Sequence, residues 1–295
     1  MEDVFIGSEA LQRGDLTRHD LRRWHRSIYP DVYVAKHRTI SLRDNVVGAW
    51  LWSGRRAVIA GVAASALHGA LWVDDSMRVE LIWNNGRPPH ALVVRNEQLR
   101  ADEFTVIDGI PVTNAARTAF DLGRHLRRGT AVARLDALAR ATGVTAANVR
   151  PLAERYKGAR GVRRLKATLL LMDGGAQSPK ETWLRLLLVD AGLPIPQTQI
   201  MVHNGDFYPL AYLDMGWEQF MVAVEYDGDH HQSDRRQYVK DISRLKMLEN
   251  RGWIVVRVIA EDHPNNIVDR VYRALTDRGL TEIEHMQAVT HTFAA

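Results

Sequence analysis

Asp214 and the run Val224-Glu-Tyr-Asp-Gly228 place three carboxylates in or beside two largely apolar segments of this chain. Asp214 lies near the end of the stretch Phe207 to Trp217, and Glu225 near the end of Phe220 to Tyr226. Side chains alternate between the faces of a strand, so Glu225 and Asp227 fall on alternate residues while Tyr226 can present its backbone carbonyl. Asp214, Glu225 and the Tyr226 carbonyl would make an all-oxygen site for Mg²⁺ or Mn²⁺, completed by waters. Such a cation polarises a phosphate, lowers the pKa of attacking water and neutralises the leaving oxygen, as phosphodiester hydrolysis needs. The plainer reading makes Asp227-Gly228 a turn and Glu225 an edge charge. Against it, an acid inside a run as apolar as Phe220 to Tyr226 is costly to bury without a cation or another partner. The chain has no cysteine, which removes thiolate metal sites, disulfides and cysteine nucleophiles together.

The elements that must position these groups are legible around them. Ser178-Pro-Lys-Glu181 supplies an N-cap, a proline at the first helical position and an acid three residues on, and Thr182 to Gly192 continues as an apolar helix ended by glycine. Gln197 to His203 and Phe207 to Trp217 read as strands joined by the hairpin turn Asn204-Gly-Asp206. Phe220 to Tyr226 suits a buried strand. From Asp234 to Asn250 the apolar residues Tyr238, Ile242, Leu245 and Leu248 recur at helical spacing; a strand at Trp253 to Val258 and a helix at Pro264 to Leu275 follow. The order is α-β-β-β-α-β-α.

Glu181, Asp214, Val224-Glu-Tyr-Asp-Gly228, His230-His231, Asp241 with Arg244, and Gly252-Trp-Ile-Val-Val-Arg257 together resemble the family related to very-short-patch repair endonucleases, within the PD-(D/E)XK nuclease superfamily. The resemblance covers about residues 175–276 and implies a restriction-endonuclease-like domain. It assigns Asp214 as the central metal-binding acid, Glu225 as the acid of the (D/E)XK element and Glu181 as the acid of the first helix, and it turns Asp241 and Arg244 toward the site. Asp227 stands where the general pattern has lysine, which makes His230 or His231 the candidate for water activation or leaving-group protonation. Lys180, Lys240 or Lys246 could instead migrate into that role. A capping box with Ser178 accounts equally well for Glu181, and Asp241 with Arg244 reads equally as an exposed helical ion pair.

Upstream, Thr17 and Asp20 form a capping-box pattern that starts a helix, with Leu21 and Trp24 toward a small core and Arg18, Arg22, Arg23 and Arg26 along an exposed surface. Ile28 to Val34, around Pro30-Asp31, reads as a hairpin. Helix and hairpin outline a winged-helix-like module over residues 1–42, similar to the N-terminal domain of AbiEi-like antitoxins. That resemblance implies DNA contact through Thr17, Arg18, Arg22, Arg23 and Arg26. In the mixed α/β middle region, 43–172, the strings GVAASALHG and IPVTNAARTAFDL, the latter at Ile110 to Leu122, also resemble AbiEi-like proteins. No chemistry attaches to them; His68 and Asp121 read as packing or capping residues. Asp173 to Gln177 is a linker into the third domain, 173–295.

With 295 residues, 46% apolar and 25% charged, the chain reads as a multidomain α/β protein. Net charge is +10 over residues 1–170 and −6 over 171–295, the basic part suited to nucleic acid and the acidic part to a divalent cation. The basic excess is mostly arginine, which G+C-rich codon usage also produces. The charge-free stretch Ala57 to Val73 is shorter than the roughly 20 residues of a membrane span, and no signal-like segment opens the chain, so a cytoplasmic location without membrane contact is expected. The leading reading is a Mg²⁺-dependent DNA endonuclease in repair or defence; the alternative is a non-catalytic DNA-binding transcriptional regulator of AbiEi antitoxin type with a toxin partner. Either allows a homodimer.

Overall fold

The computed structural model describes residues 3–85, 87–203, 208–228 and 235–281. The chain divides into two compact units, Met1–Met172 and Asp173–Ala295.

Unit 1 opens with β1 (Val4–Ile6), α1 (Gly7–Arg13) and α2 (Arg18–Trp24), followed by the hairpin β2 (His25–Tyr29) and β3 (Val32–Ala35). These strands form an antiparallel sheet in the order β1-β3-β2. Thr17 caps α2: its hydroxyl accepts the Asp20 amide at 3.1 Å, and the Asp20 carboxylate accepts the Thr17 amide at 3.0 Å. Asp31 takes the left-handed conformation at the two-residue hairpin turn. Leu21 is buried, but Trp24, expected beside it, is 56% exposed and stacks with the Arg23 guanidinium. The cause is local: the helix has two turns and ends at Trp24, where the backbone becomes extended.

Next come α3 (Leu42–Trp52), β4 (Val58–Ala60), α4 (Gly61–Leu67), β5 (Val79–Ile82), β6 (Leu92–Arg95), β7 (Phe104–Ile107) and β8 (Ile110–Thr113). The strands build a mixed sheet ordered β6-β5-β4-β8-β7. Four helices close the unit: α5 (Ala115–His125), α6 (Arg128–Thr142), α7 (Ala146–Arg155) and α8 (Val162–Leu169). Val4, Tyr29, Val32 and Val34 from the first sheet pack in one apolar cluster with Val46, Ile59, Leu81 and Val112. A second cluster, including Phe120, Leu135, Leu138, Val149 and Leu165, holds the helices together.

Unit 2 contains α9 (Pro179–Asp190), β9 (Gln197–His203), β10 (Pro209–Trp217), β11 (Val222–Tyr226), α10 (Arg235–Asn250), β12 (Ile254–Val258) and α11 (Pro264–Asp277). The sheet order is β12-β11-β10-β9, with β9, β10 and β11 antiparallel and β12 parallel to β11. Val222 and Val224 join a core with Leu184 and Leu188 of α9 and Ile267 and Val271 of α11. Ala223 lies in the other core, with Leu248 of α10, so β11 is buried on both faces. This strand starts later than its apolar run suggests, because Glu218–Phe220 forms a 3₁₀ turn and Met221 is left-handed. Gly216 is required beside it: a Cβ there would lie 2.3 Å from the Val222 carbonyl oxygen.

Candidate functional site

In unit 2, Met215 of β10 pairs with Val224 of β11, and this register brings the following residues of β11 alongside Asp214. The Tyr226 amide donates to the Asp214 carboxylate at 3.0 Å. Asp214, Glu225, Tyr226, Asp227, Asp241 and Arg244 line one cavity of about 160 Å³. The structure therefore gathers Asp214, Glu225, Tyr226, Asp227, Asp241 and Arg244 from three elements into one place.

What the cluster does with its charge differs from a cation cage. Arg244, from α10, donates to both oxygens of the buried Glu225, at 2.9 and 2.5 Å, and to the Tyr212 carbonyl at 2.6 Å. A fork of this kind is the strong, geometrically specific form of carboxylate recognition. Arg257 lies across the parallel pair from Glu225 and donates to Asp227. The partner that lets an acid be buried in this apolar strand is an arginine. Glu181 serves the N-terminus of α9: its amide donates to the Ser178 hydroxyl at 3.1 Å, and its carboxylate accepts from that hydroxyl at 3.0 Å and from the Gln177 amide, one residue before the N-cap, at 2.8 Å. Its charge still reaches the site. Burial first, then the charge of Glu181, push the Asp214 carboxyl up to about 7, outweighing the Tyr226 amide and Arg244.

As folded, two of the acids a dication would use are paired with arginines, while Asp214 accepts the Tyr226 amide. Both Glu225 oxygens are taken by Arg244 and Asp227 is taken by Arg257. No three acids of this cluster bring ligand oxygens within 4.8 Å of one another among the described residues. His230 and His231 lie outside the described residues. Of the lysines, Lys180 sits 5.8 Å from the Tyr226 ring centroid, whereas Lys240 and Lys246 are exposed on α10. Arg257 is the residue that the sequence did not single out by role; its place opposite Glu225 depends on the parallel register.

In unit 1, Arg18, Arg22, Arg23 and Arg26 are exposed. Among the described residues none of the four meets a carboxylate: Arg22 donates to the Arg18 carbonyl and Arg26 to that of Arg38. Thr17 has a structural task, with its hydroxyl engaged by Asp20. In the middle region His68 is bonded to the Thr113 carbonyl at 2.7 Å. Asp121 is more than a packing residue. It lies buried between Arg117 and Arg124, each 3.1 Å away, and Glu97 and Glu103 join the same ion network. Burial alone would raise Glu97, but hydrogen bonding from His125 and the charge of Arg124 hold it at about 2.

Residues 55–172 match the family AbiEi antitoxin C-terminal domain. The match runs from just before β4 to the last residue of unit 1, so the mixed sheet, helices α4 to α8 and the ion network all lie inside the matched segment. Two relatives from Mycobacterium tuberculosis, the uncharacterized protein Rv2248 of strain H37Rv and the uncharacterized protein MT2308 of strain CDC 1551, are each 29% identical over 228 residues. The alignments cover 76% of this chain and 83% of each relative. No solved structure matches. No described helix is long and apolar enough to cross a membrane.

Proposed function

We propose that this chain is a DNA-binding transcriptional regulator of the AbiEi antitoxin type, acting in the cytoplasm and paired with a toxin. The observation that carries this reading is the AbiEi antitoxin C-terminal domain match over residues 55–172. In the proposed division of labour, α2 and the β2–β3 hairpin serve as a winged-helix-like module that sets Arg18, Arg22, Arg23 and Arg26 against DNA phosphates. Their exposure and lack of described acidic partners support that role. Unit 2 is a restriction-endonuclease-like fold kept as a scaffold, its Glu225 and Asp227 held by Arg244 and Arg257. The test is titration of the full chain with duplex DNA from upstream of its own gene across a salt series. Replacing Arg18, Arg22 and Arg23 with Ala should weaken binding and lower the log–log salt slope by about 0.9 per lost phosphate contact. Wild-type affinity and slope in that variant would remove α2 from the interface.

A second reading, a Mg²⁺- or Mn²⁺-dependent endonuclease, is favoured by one observation: Asp214, Glu225, Asp227 and Asp241 share one cavity. It ranks below the first because Glu225 and Asp227, two of those acids, are already paired with Arg244 and Arg257.

A further inference from the structure

Neither reading uses the large cavity within residues 55–172. It measures about 650 Å³, inside the roughly 300–1,000 Å³ typical of small-molecule sites. Arg95, Arg117, Arg124, Arg160 and Arg164 line it, against Glu97 as the one lining carboxylate. The acids behind the wall are already engaged: Arg95 pairs with Glu80, Arg117 with Glu103 and Asp121, and Arg124 with Glu97 and Asp121. Arg160 and Arg164 are different. Among the described residues neither meets a carboxylate, and Arg164 donates only to the carbonyls of Arg124 and Leu126, at 3.3 and 3.1 Å. Arg124 has a 3% exposed side chain, and its Nε finds no acceptor in the described structure.

The backbone brings these groups together at one point. Gly161 has φ +88°, and a Cβ on it would lie 2.5 Å from the Arg124 carbonyl oxygen, so the chain passes hard against Arg124 there. Gly161 is also the N-cap of α8 and offers no side-chain acceptor to the first amides of that helix. The Val162 amide turns back to the Ala159 carbonyl at 3.4 Å, but a helix start without a side-chain cap, beside arginines, favours an oxyanion.

A cation is the competing occupant, because Glu97, Asp121 and His125 place ligand atoms within 4.8 Å of one another. However, Arg117 lies within 3.2 Å of Asp121 and Glu97, and Arg124 is equally close, so an added cation would face two fixed positive charges. An anion instead answers the surplus from Arg160 and Arg164. We propose that this cavity binds a phosphate-bearing small molecule of nucleotide size, its phosphate held by Arg160 and Arg164 at the start of α8. A duplex backbone is too broad to enter a cavity of this volume, which favours a soluble ligand.

The experiment is isothermal titration of the full chain with inorganic pyrophosphate, and separately with ATP and GTP, in buffer containing sulfate as a competing simple anion. Saturable binding of at least one probe is expected. Arg160→Ala and Arg164→Gln should each weaken it about tenfold or more, as loss of a charge-assisted hydrogen bond does. Both residues are exposed, so unchanged far-ultraviolet circular dichroism and melting should accompany the loss; Lys157→Ala, at an exposed cation outside the cavity lining, should bind as wild type. No saturable binding of any probe, or binding untouched by both arginine variants, would overturn the proposal. So would variants that lose duplex DNA affinity while the wild type ignores pyrophosphate and both nucleotides, since that would make the pocket part of a DNA path.

Discussion

Replacing Asp214 with Asn should stabilise the protein above neutral pH. The folded environment raises the Asp214 carboxyl to about 7, mainly through burial and then through the charge of Glu181. An ordinary aspartate titrates near 3.9. The folded state therefore holds the proton more tightly than the unfolded chain. This contribution to stability is fully present below about pH 4 and is lost as the pH climbs to about 7. A gap of about three pKa units, at about 1.4 kcal/mol each, sets a ceiling of about 4 kcal/mol. Partial solvent access to Asp214 lowers the expected effect to about 2 kcal/mol. Asparagine keeps a carbonyl oxygen for the Tyr226 amide and carries no charge. Urea unfolding followed by tryptophan fluorescence, in EDTA, should give near-equal stabilities for the two proteins at pH 4. At pH 8 the variant should be more stable by about that amount. An Asn variant no more stable than wild type at pH 8, relative to pH 4, would refute the reasoning, because ionised Asp214 would then carry no penalty in the folded state.

Two other outcomes test the surroundings of the two charge clusters. Arg117→Ala should cost about 3–5 kcal/mol in urea unfolding, because it leaves the buried Glu103 and Asp121 without their shared guanidinium; a loss below about 1 kcal/mol would mean the network rearranges freely. Purified protein incubated with supercoiled plasmid and Mg²⁺ or Mn²⁺ should leave it intact. Metal-dependent nicking abolished by Glu225→Gln would instead establish the nuclease reading and displace the regulator.

Local signals carried much of the fold. Thr17 with Asp20 and Ser178 with Glu181 start helices because their capping bonds lie within three residues, and Pro30-Asp31 turns a hairpin that Gly7 and Ser8 hold by hydrogen bonds to Asp31. Gln197 to His203 forms a strand over the expected bounds. Trp24 misled because helical spacing says which residues share a face but not where packing ends. The start of β11 was hidden by Met221, whose left-handed backbone no apolar pattern announces. At the carboxylate cluster the gathering of acids was legible, but the clamps were not. Arg244 finds Glu225 across a helix–sheet contact, and Arg257 reaches Asp227 through a parallel register. The ion network around Asp121 was invisible for the same reason, since Glu97 and Glu103 come from segments well before α5.

The apolar cluster that joins Val4, Val32 and Val34 to Ile59, Leu81 and Val112 makes the first strands and the central sheet one cooperative body. Cutting after residue 42 would strip one side from that cluster, leaving α3 and the sheet with wet apolar surface and a fragment prone to aggregate. The same continuity has a thermodynamic sign. Any molecule that binds the folded middle region lowers the population of every opening that breaks the shared cluster, and so protects the amides of β1 and β3 from hydrogen exchange. Binding at one end of unit 1 would be read as slower exchange at the other, with no change in mean structure needed to carry the message.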